Sequence, residues 1–332
     1  MMSEDHPGMT RVLLQLMKLR VVVLLQVTAF CAILAHDILV RYDSIDGDRS
    51  WYDTIWTSVV TLVGGTLAAG GSNAINMVYD RDIDSEMSRT RSRPIPKGWI
   101  SPKSALIFGI IISIIGSSMF LLLHWKAAFW SFFSVVFYVF VYTIWLKRRT
   151  PQNIVIGGIA GATPPVIGWV GAAAANVPDN FNPFDLGSPV PWMLFLLIFL
   201  WTPPHFWALA LYRSGEYGKV GVPMMPDAKG PHRTLIESKI YCFLLFGLGT
   251  VPYFWPESGL PLAWALVAGI LTIWYSISVW KIDPDEPLDE DGRMPMAFSS
   301  FMRSLAYLGY MFIAFVLIVS IPPNWLGPFG VL

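Results

Sequence analysis

Asn76, Asp80 and Asp84 repeat an oxygen-bearing side chain every four residues, where a long apolar segment ends. On a helix each four-residue step drifts only about 40°, so all three face one space at the mouth of a membrane helix. Two carboxylates so placed repel each other and lose part of their hydration unless a cation compensates them. Hard oxygen ligands of this kind suit Mg²⁺, which takes one or two protein carboxylates and completes its shell with water and phosphate. The spacing reads as a magnesium–diphosphate site, with Asn76, Asp80 and Asp84 as its catalytic and metal-holding residues. An isolated Asp-x-x-x-Asp pair is more often a solvated helix end. Here Asn76 and, one turn deeper, Asn73 extend the polar face into the membrane, where an unpaired amide is costly. Asp82 points roughly opposite.

Cations follow directly. Arg89, Arg93 and Lys97 form a second four-residue series, and Lys147-Arg148-Arg149 closes a later apolar segment. Each could simply obey the preference for positive charge on the cytoplasmic side. Beside paired acids, Arg89, Arg93, Lys97, Lys147 and Arg148 are also candidates to hold the diphosphate oxygens that a metal leaves free. Arg93 is singled out because Pro94 and Pro96 stiffen the chain after it.

Trp201-Thr202-Pro203-Pro204-His205-Phe206-Trp207 places a histidine inside a span, just after two prolines. It could be a packing residue. As an intramembrane ionisable group it is also a candidate for iron ligation, propionate contact or proton transfer. Glu216, next to Tyr217, has no acidic partner one turn away. It could hold a second Mg²⁺ through water or pair with Arg213.

These residues need elements to position them. The 332-residue chain is 54% apolar and 14% charged, which excludes an ordinary soluble domain. Zero net charge gives no electrostatic ground for nucleic acid as a partner; the lipid bilayer is the medium. Cys31 and Cys242 both fall in apolar spans, so no disulfide is expected. A span needs roughly 20 apolar residues, and nine are predicted, at 19–39, 55–79, 104–123, 127–146, 154–175, 190–212, 238–256, 260–280 and 303–322. The fifth is broken by Gly157, Gly158, Gly161, Pro164 and Pro165. Tight turns are expected around His124–Lys126 and Pro256–Pro261, and Asp283–Asp291 is expected to be a solvated linker. All of the 23 Lys and Arg residues except Arg41, Arg49 and Lys126 fall on one side, which should be cytoplasmic. The expectation is one polytopic domain over 1–332, N-terminus cytoplasmic and C-terminus periplasmic. With no transit peptide or cleavage site evident, a bacterial inner membrane is the simplest home.

Four stretches carry a family likeness: Asn76-Met-Val-Tyr-Asp80-Arg-Asp-Ile-Asp84 with Arg89 and Arg93-Pro94 behind it; Tyr142-Thr-x-Trp145-Leu-Lys147-Arg148-Arg149-Thr150-Pro-Gln-Asn153; Gly157-Gly-Ile-Ala-Gly161-Ala-x-Pro164-Pro165-x-x-Gly168-Trp169; and Thr202-Pro-Pro-His205-Phe-Trp207. The first resembles the aspartate motif of the UbiA prenyltransferase superfamily. The other three resemble its protoheme IX farnesyltransferase (heme O synthase) branch, over residues 20–320. The resemblance implies an all-α, nine-transmembrane-helix bundle around a central cavity. It further implies farnesyl transfer from farnesyl diphosphate to a vinyl group of heme b, with Mg²⁺ as cofactor. His205, Trp169 and Trp207 would face the heme. Heme A synthase or terminal oxidase assembly factors would be downstream partners. A second Asp-x-x-x-Asp motif, usual in the superfamily, is replaced here by Glu216-Tyr217. Two other readings stay open: a quinone-precursor or chlorophyll-type acceptor, and a transporter whose aspartates bind a coupling cation.

Overall fold

The computed structural model describes residues 7–42, 47–213, 215–254, 261–290 and 292–322. Those residues are helical with no strand among them. Helix α1 (Met9–Met17) is amphipathic and ends at Lys18, which has left-handed geometry (φ 52°) and starts α2 (Leu19–Arg41). Ser50 and Asp53 form a capping box that opens α3 (Trp51–Tyr79). Asp80 joins α3 to the short α4 (Arg81–Glu86). Helix α5 (Pro102–Met119) tightens into a 3₁₀ turn at Phe120–Leu122. Helix α6 (Trp125–Val136) runs on as a π-helix over Phe137–Leu146. The glycine-broken fifth span is two pieces, α7 (Asn153–Ala162) and α8 (Pro164–Ala172), separated at Thr163. There follow α9 (Val190–Tyr212), α10 (Met225–Lys229), α11 (Pro231–Thr250), α12 (Leu262–Trp280) and α13 (Pro295–Val319).

Among the described residues, eight helical stretches are long and apolar enough to cross a membrane, against the nine expected. The difference lies in the seventh. Its helix, α11, begins seven residues earlier than the 238–256 span and takes in His232, Arg233, Glu237 and Lys239, which dilute its apolar content. It still packs along α9 and α12 as a full-length member of the bundle. Of the second tight turn only Pro261 is described, and Asp291 at the end of the acidic linker also lies outside the described residues.

Polarity is arranged inside out relative to a soluble protein. Ile107, Ile110, Ile111, Ile114 and Ile115 of α5 are exposed to the lipid side, whereas Asn73, Asn76, Asp80 and Asp84 are buried. Without a hydrophobic drive between helices in lipid, close backbone packing holds the bundle. The α3–α5 pair shows how: a Cβ on Gly71 would lie 2.4 Å from the Gly109 carbonyl oxygen, and one on Gly116 would lie 2.4 Å from the Ala68 nitrogen.

Candidate active site

The helices enclose a cavity of about 610 Å³, with Asp80 and Asp84 at its polar end. Asp80 is fully buried and Asp84 is 2% exposed. Backbone hydrogen bonds Asp80 N to Asn76 O and Asp84 N to Asp80 O keep the helical register across the α3–α4 junction. The four-residue face predicted from spacing is therefore real.

Each acid has cationic company. Lys147 Nζ and Asn76 Nδ2 both donate to Asp80 Oδ2, the latter at 3.0 Å. Arg93 Nη1 donates to both oxygens of Asp84 at 2.7 Å. Asn76 is a positioning hub. Its amide nitrogen also donates to Thr143 Oγ1 (3.1 Å), and its oxygen accepts from Lys18 Nζ (3.0 Å). With that oxygen occupied, Asn76 orients Asp80 rather than offering a free ligand atom. Asp80 Oδ1 is different: it is buried without a hydrogen bond, with the Arg148 guanidinium 3.7 Å away as its ion-pair partner, so it keeps the capacity to accept from a donor or a cation. A divalent ion fits that atom together with Asp84, its shell completed from a substrate's phosphates. Among the described residues, no three His, Cys, Asp or Glu side chains converge on one ion.

The π-helix delivers the opposite wall. Lys147 N bonds to Tyr142 O and Thr143 Oγ1 to Tyr138 O, both five-residue steps. In an α-helix five residues turn through about 140°; the wider π turn brings Tyr142 and Lys147 to the same lining. Such segments cluster at functional sites.

Of the basic residues proposed from the sequence, Arg89, Arg93 and Lys147 line the cavity. Arg148 stands outside the cavity lining but bridges two acids: its Nη1 and Nη2 each donate to Asp82 at 2.7 Å, its Nη2 lies 3.7 Å from Asp80 Oδ1, and its guanidinium lies over Tyr79. The Arg148–Asp82 pair holds the Asp82 carboxyl down at about 2. Lys97 is exposed and outside the cavity lining. Glu216 also lies outside the lining and pairs with Arg213 at 3.3 Å, the alternative open from sequence, while its neighbour Tyr217 does line the cavity.

His205 lines the apolar part of the cavity. It is 6% exposed, sandwiched between Trp201 (centroids 4.1 Å) and Phe301 (4.8 Å). Its Nδ1 lies 2.6 Å from Ser304 Oγ, which fixes the ring and leaves Nε2 as the nitrogen not engaged by Ser304. The expected Trp169 and Trp207 are corrected. Both are fully buried outside the lining, Trp169 edge-on to His36 and Trp207 against Tyr241. Trp201 and Phe206 take their place on the wall. Helical phase decides this, because residues 201 and 205 share a face that 207 leaves by about 200°.

Sequence reasoning missed Lys18, Tyr138 and Thr143. A lysine at the seam between an amphipathic turn and the first span was the available signal for Lys18. Nothing in the local sequence announced a π-helix.

The UbiA prenyltransferase family matches residues 44–305. The chain belongs to that family. It is a prenyltransferase, so the transporter reading falls away. Curated relatives named protoheme IX farnesyltransferase include those of Bartonella tribocorum, 41% identical over 77% of this chain and 78% of the relative, and Rhizobium meliloti, 44% identical over 79% and 78%. This places the chain in the protoheme IX farnesyltransferase branch of the UbiA family. The fold resembles a solved digeranylgeranylglyceryl phosphate synthase (TM-score 0.69, 18% identity, 94% of this chain and 98% of the other). It also resembles a UbiA homolog from Archaeoglobus fulgidus bound to GPP and Mg²⁺ (TM-score 0.56, 17% identity, 92% and 99%). Eight helical stretches among the described residues that are long and apolar enough to cross a membrane, together with this family, make it a multi-pass membrane protein.

Proposed function

We propose that the chain transfers the farnesyl group of farnesyl diphosphate to a vinyl group of heme b, giving heme O, in a Mg²⁺-dependent reaction on the cytoplasmic side of a bacterial inner membrane. The observation that carries the reading is one cavity with the Asp80–Asp84 pair and its cations at one end and His205 on its aromatic wall. The branch name of the curated relatives supports heme as acceptor.

Asp80 and Asp84, oriented by Asn76, would hold the metal. Bound there, Mg²⁺ supplies Lewis-acid neutralisation of the departing pyrophosphate. The remaining work falls to this chain's side chains. Arg89, Arg93, Lys147 and Lys18 take up phosphate oxygens, stabilising charge that grows as the allylic C–O bond breaks. Apolar walls keep water from the farnesyl cation. The vinyl carbon attacks it, water captures the new cation beside the porphyrin, and a proton is released. No electron is gained or lost, so heme is substrate. His205, fixed by Ser304, orients the porphyrin.

The test is incubation of purified protein with heme b, farnesyl diphosphate and Mg²⁺, then weighing of the porphyrin. A gain of farnesyl plus water is expected. An unchanged heme, with prenylation of an aromatic acid or a chlorophyll-type alcohol instead, would overturn the acceptor assignment.

A further inference from the structure

Asp80 and Phe120 both line the cavity, the Phe120 ring lying against α3 at Gly64, far along that helix from Asp80. Phe120 is 1% exposed yet lines the cavity. It stands where the regular turns of α5 give way to the 3₁₀ turn, four residues after Gly116 and therefore on nearly the same face. That face is pressed onto α3: a Cβ on Gly116 would lie 2.5 Å from the Gly64 carbonyl oxygen. No space remains between the two backbones for an aromatic ring. The Phe120 ring instead packs over Gly64, with Cε2 3.3 Å from the site of a Gly64 Cβ, and projects into the bundle.

Its depth matches one substrate. Gly64 and Asp80 are separated by about 24 Å along α3 at 1.5 Å per residue. With carbon–carbon bonds near 1.5 Å, an extended farnesyl chain takes about 15 Å and its diphosphate about 5 Å. Contact between metal and oxygen adds about 2 Å. A fourth isoprene unit needs about 5 Å more on the same bond lengths and would meet the ring. Thr61, also on the lining and one turn past Gly64, carries a buried hydroxyl with no partner, a poor neighbour for a hydrocarbon end. We propose that the Phe120 ring is the stop that sets prenyl chain length, admitting farnesyl and excluding geranylgeranyl diphosphate.

This inference rests on the farnesyl-transfer reading for its substrate, but it can be tested apart from it. Purified full-length protein is given equal geranyl, farnesyl and geranylgeranyl diphosphates with heme b and Mg²⁺, and the porphyrin products are weighed. In parallel, thermal protection by each prenyl diphosphate with Mg²⁺ is measured without heme. F120A should raise the geranylgeranyl-to-farnesyl ratio about tenfold or more, and F120W should shift preference toward geranyl. F120L replaces F120A if the latter is not recovered folded. Unchanged chain-length ratios in folded F120L and F120W would overturn the proposal. Should wild-type protein leave heme untouched, the acceptor assignment fails. The stop is then judged from thermal protection alone: discrimination against geranylgeranyl diphosphate that is lost in the variants supports it, and discrimination that persists overturns it.

Discussion

Arg93 presents a single nitrogen, Nη1, to both carboxylate oxygens of Asp84, each at 2.7 Å. The same side chain lines the cavity. One residue can thus compensate the acid before substrate arrives and grip a diphosphate afterwards. The loop is tied to the same acid, because Thr90 Oγ1 donates to the Asp84 carbonyl at 2.9 Å. A lysine offers a point charge in place of the fork. Arg93→Lys should raise KM for farnesyl diphosphate about tenfold, or about 1.4 kcal/mol, with KM for heme unchanged. Steady-state kinetics with each substrate varied checks this; equal KM values for farnesyl diphosphate would remove Arg93 from the phosphate site.

His205 is held by Ser304 and flanked by Trp201 and Phe301. His205→Ala should lower turnover about 100-fold and shift the Soret band of the heme-loaded protein. Protection by farnesyl diphosphate should stay at the wild-type level. An unaltered heme spectrum with full turnover would reduce His205 to a packing residue.

Lys18 gives the site a pH dependence. Burial, with repulsion from Arg93 and Lys147, lowers its amine from 10.5 to about 7. Between those values the unfolded chain binds the extra proton, so this residue's penalty on folding is full below about 7 and fades as pH rises. Substrate affinity runs the other way, since the neutral amine no longer attracts phosphate. Farnesyl diphosphate binding should weaken as pH rises through about 7, and Lys18→Arg should flatten the trend. The Asp82–Arg148 pair contributes nothing here, with Asp82 ionised down to about 2. A wild-type profile in Lys18→Arg would detach Lys18 from the substrate.

Two glycines should separate stability from activity. A Cβ on Gly116 meets backbone atoms of α3, whereas one on Gly161 meets nothing within 4 Å and points at the cavity. Gly116→Val should lower the melting temperature by about 5 °C, from an overpacking cost of about 1–3 kcal/mol. Gly161→Leu should leave melting unchanged and slow heme turnover. Differential scanning fluorimetry beside the mass assay reads both; reversed outcomes would contradict the packing described.

The legible parts of the sequence were local. Spacing alone put Asn76, Asp80 and Asp84 on one face, and the glycine and proline positions foretold the break between α7 and α8. What stayed hidden depends on distant packing. Lys18 reaches Asn76 across 58 residues. Arg148 reaches Asp82 across 66 residues and also lies beside Asp80. The facings of Trp169 and Trp207 follow from how α8 and α9 rotate against their neighbours, which composition does not encode. A fully apolar helix such as α9 gives no polar stripe from which to read phase.

Asp80 decides the account. Titration of farnesyl thiodiphosphate, a slow-reacting analogue, into purified protein with and without Mg²⁺ should show tight binding only with the metal. Asp80→Asn should weaken that binding about 100-fold, or about 2.7 kcal/mol, in protein that still elutes and melts as folded. Wild-type affinity in Asp80→Asn, or binding indifferent to Mg²⁺, would contradict the claim that this buried acid holds the metal against the diphosphate.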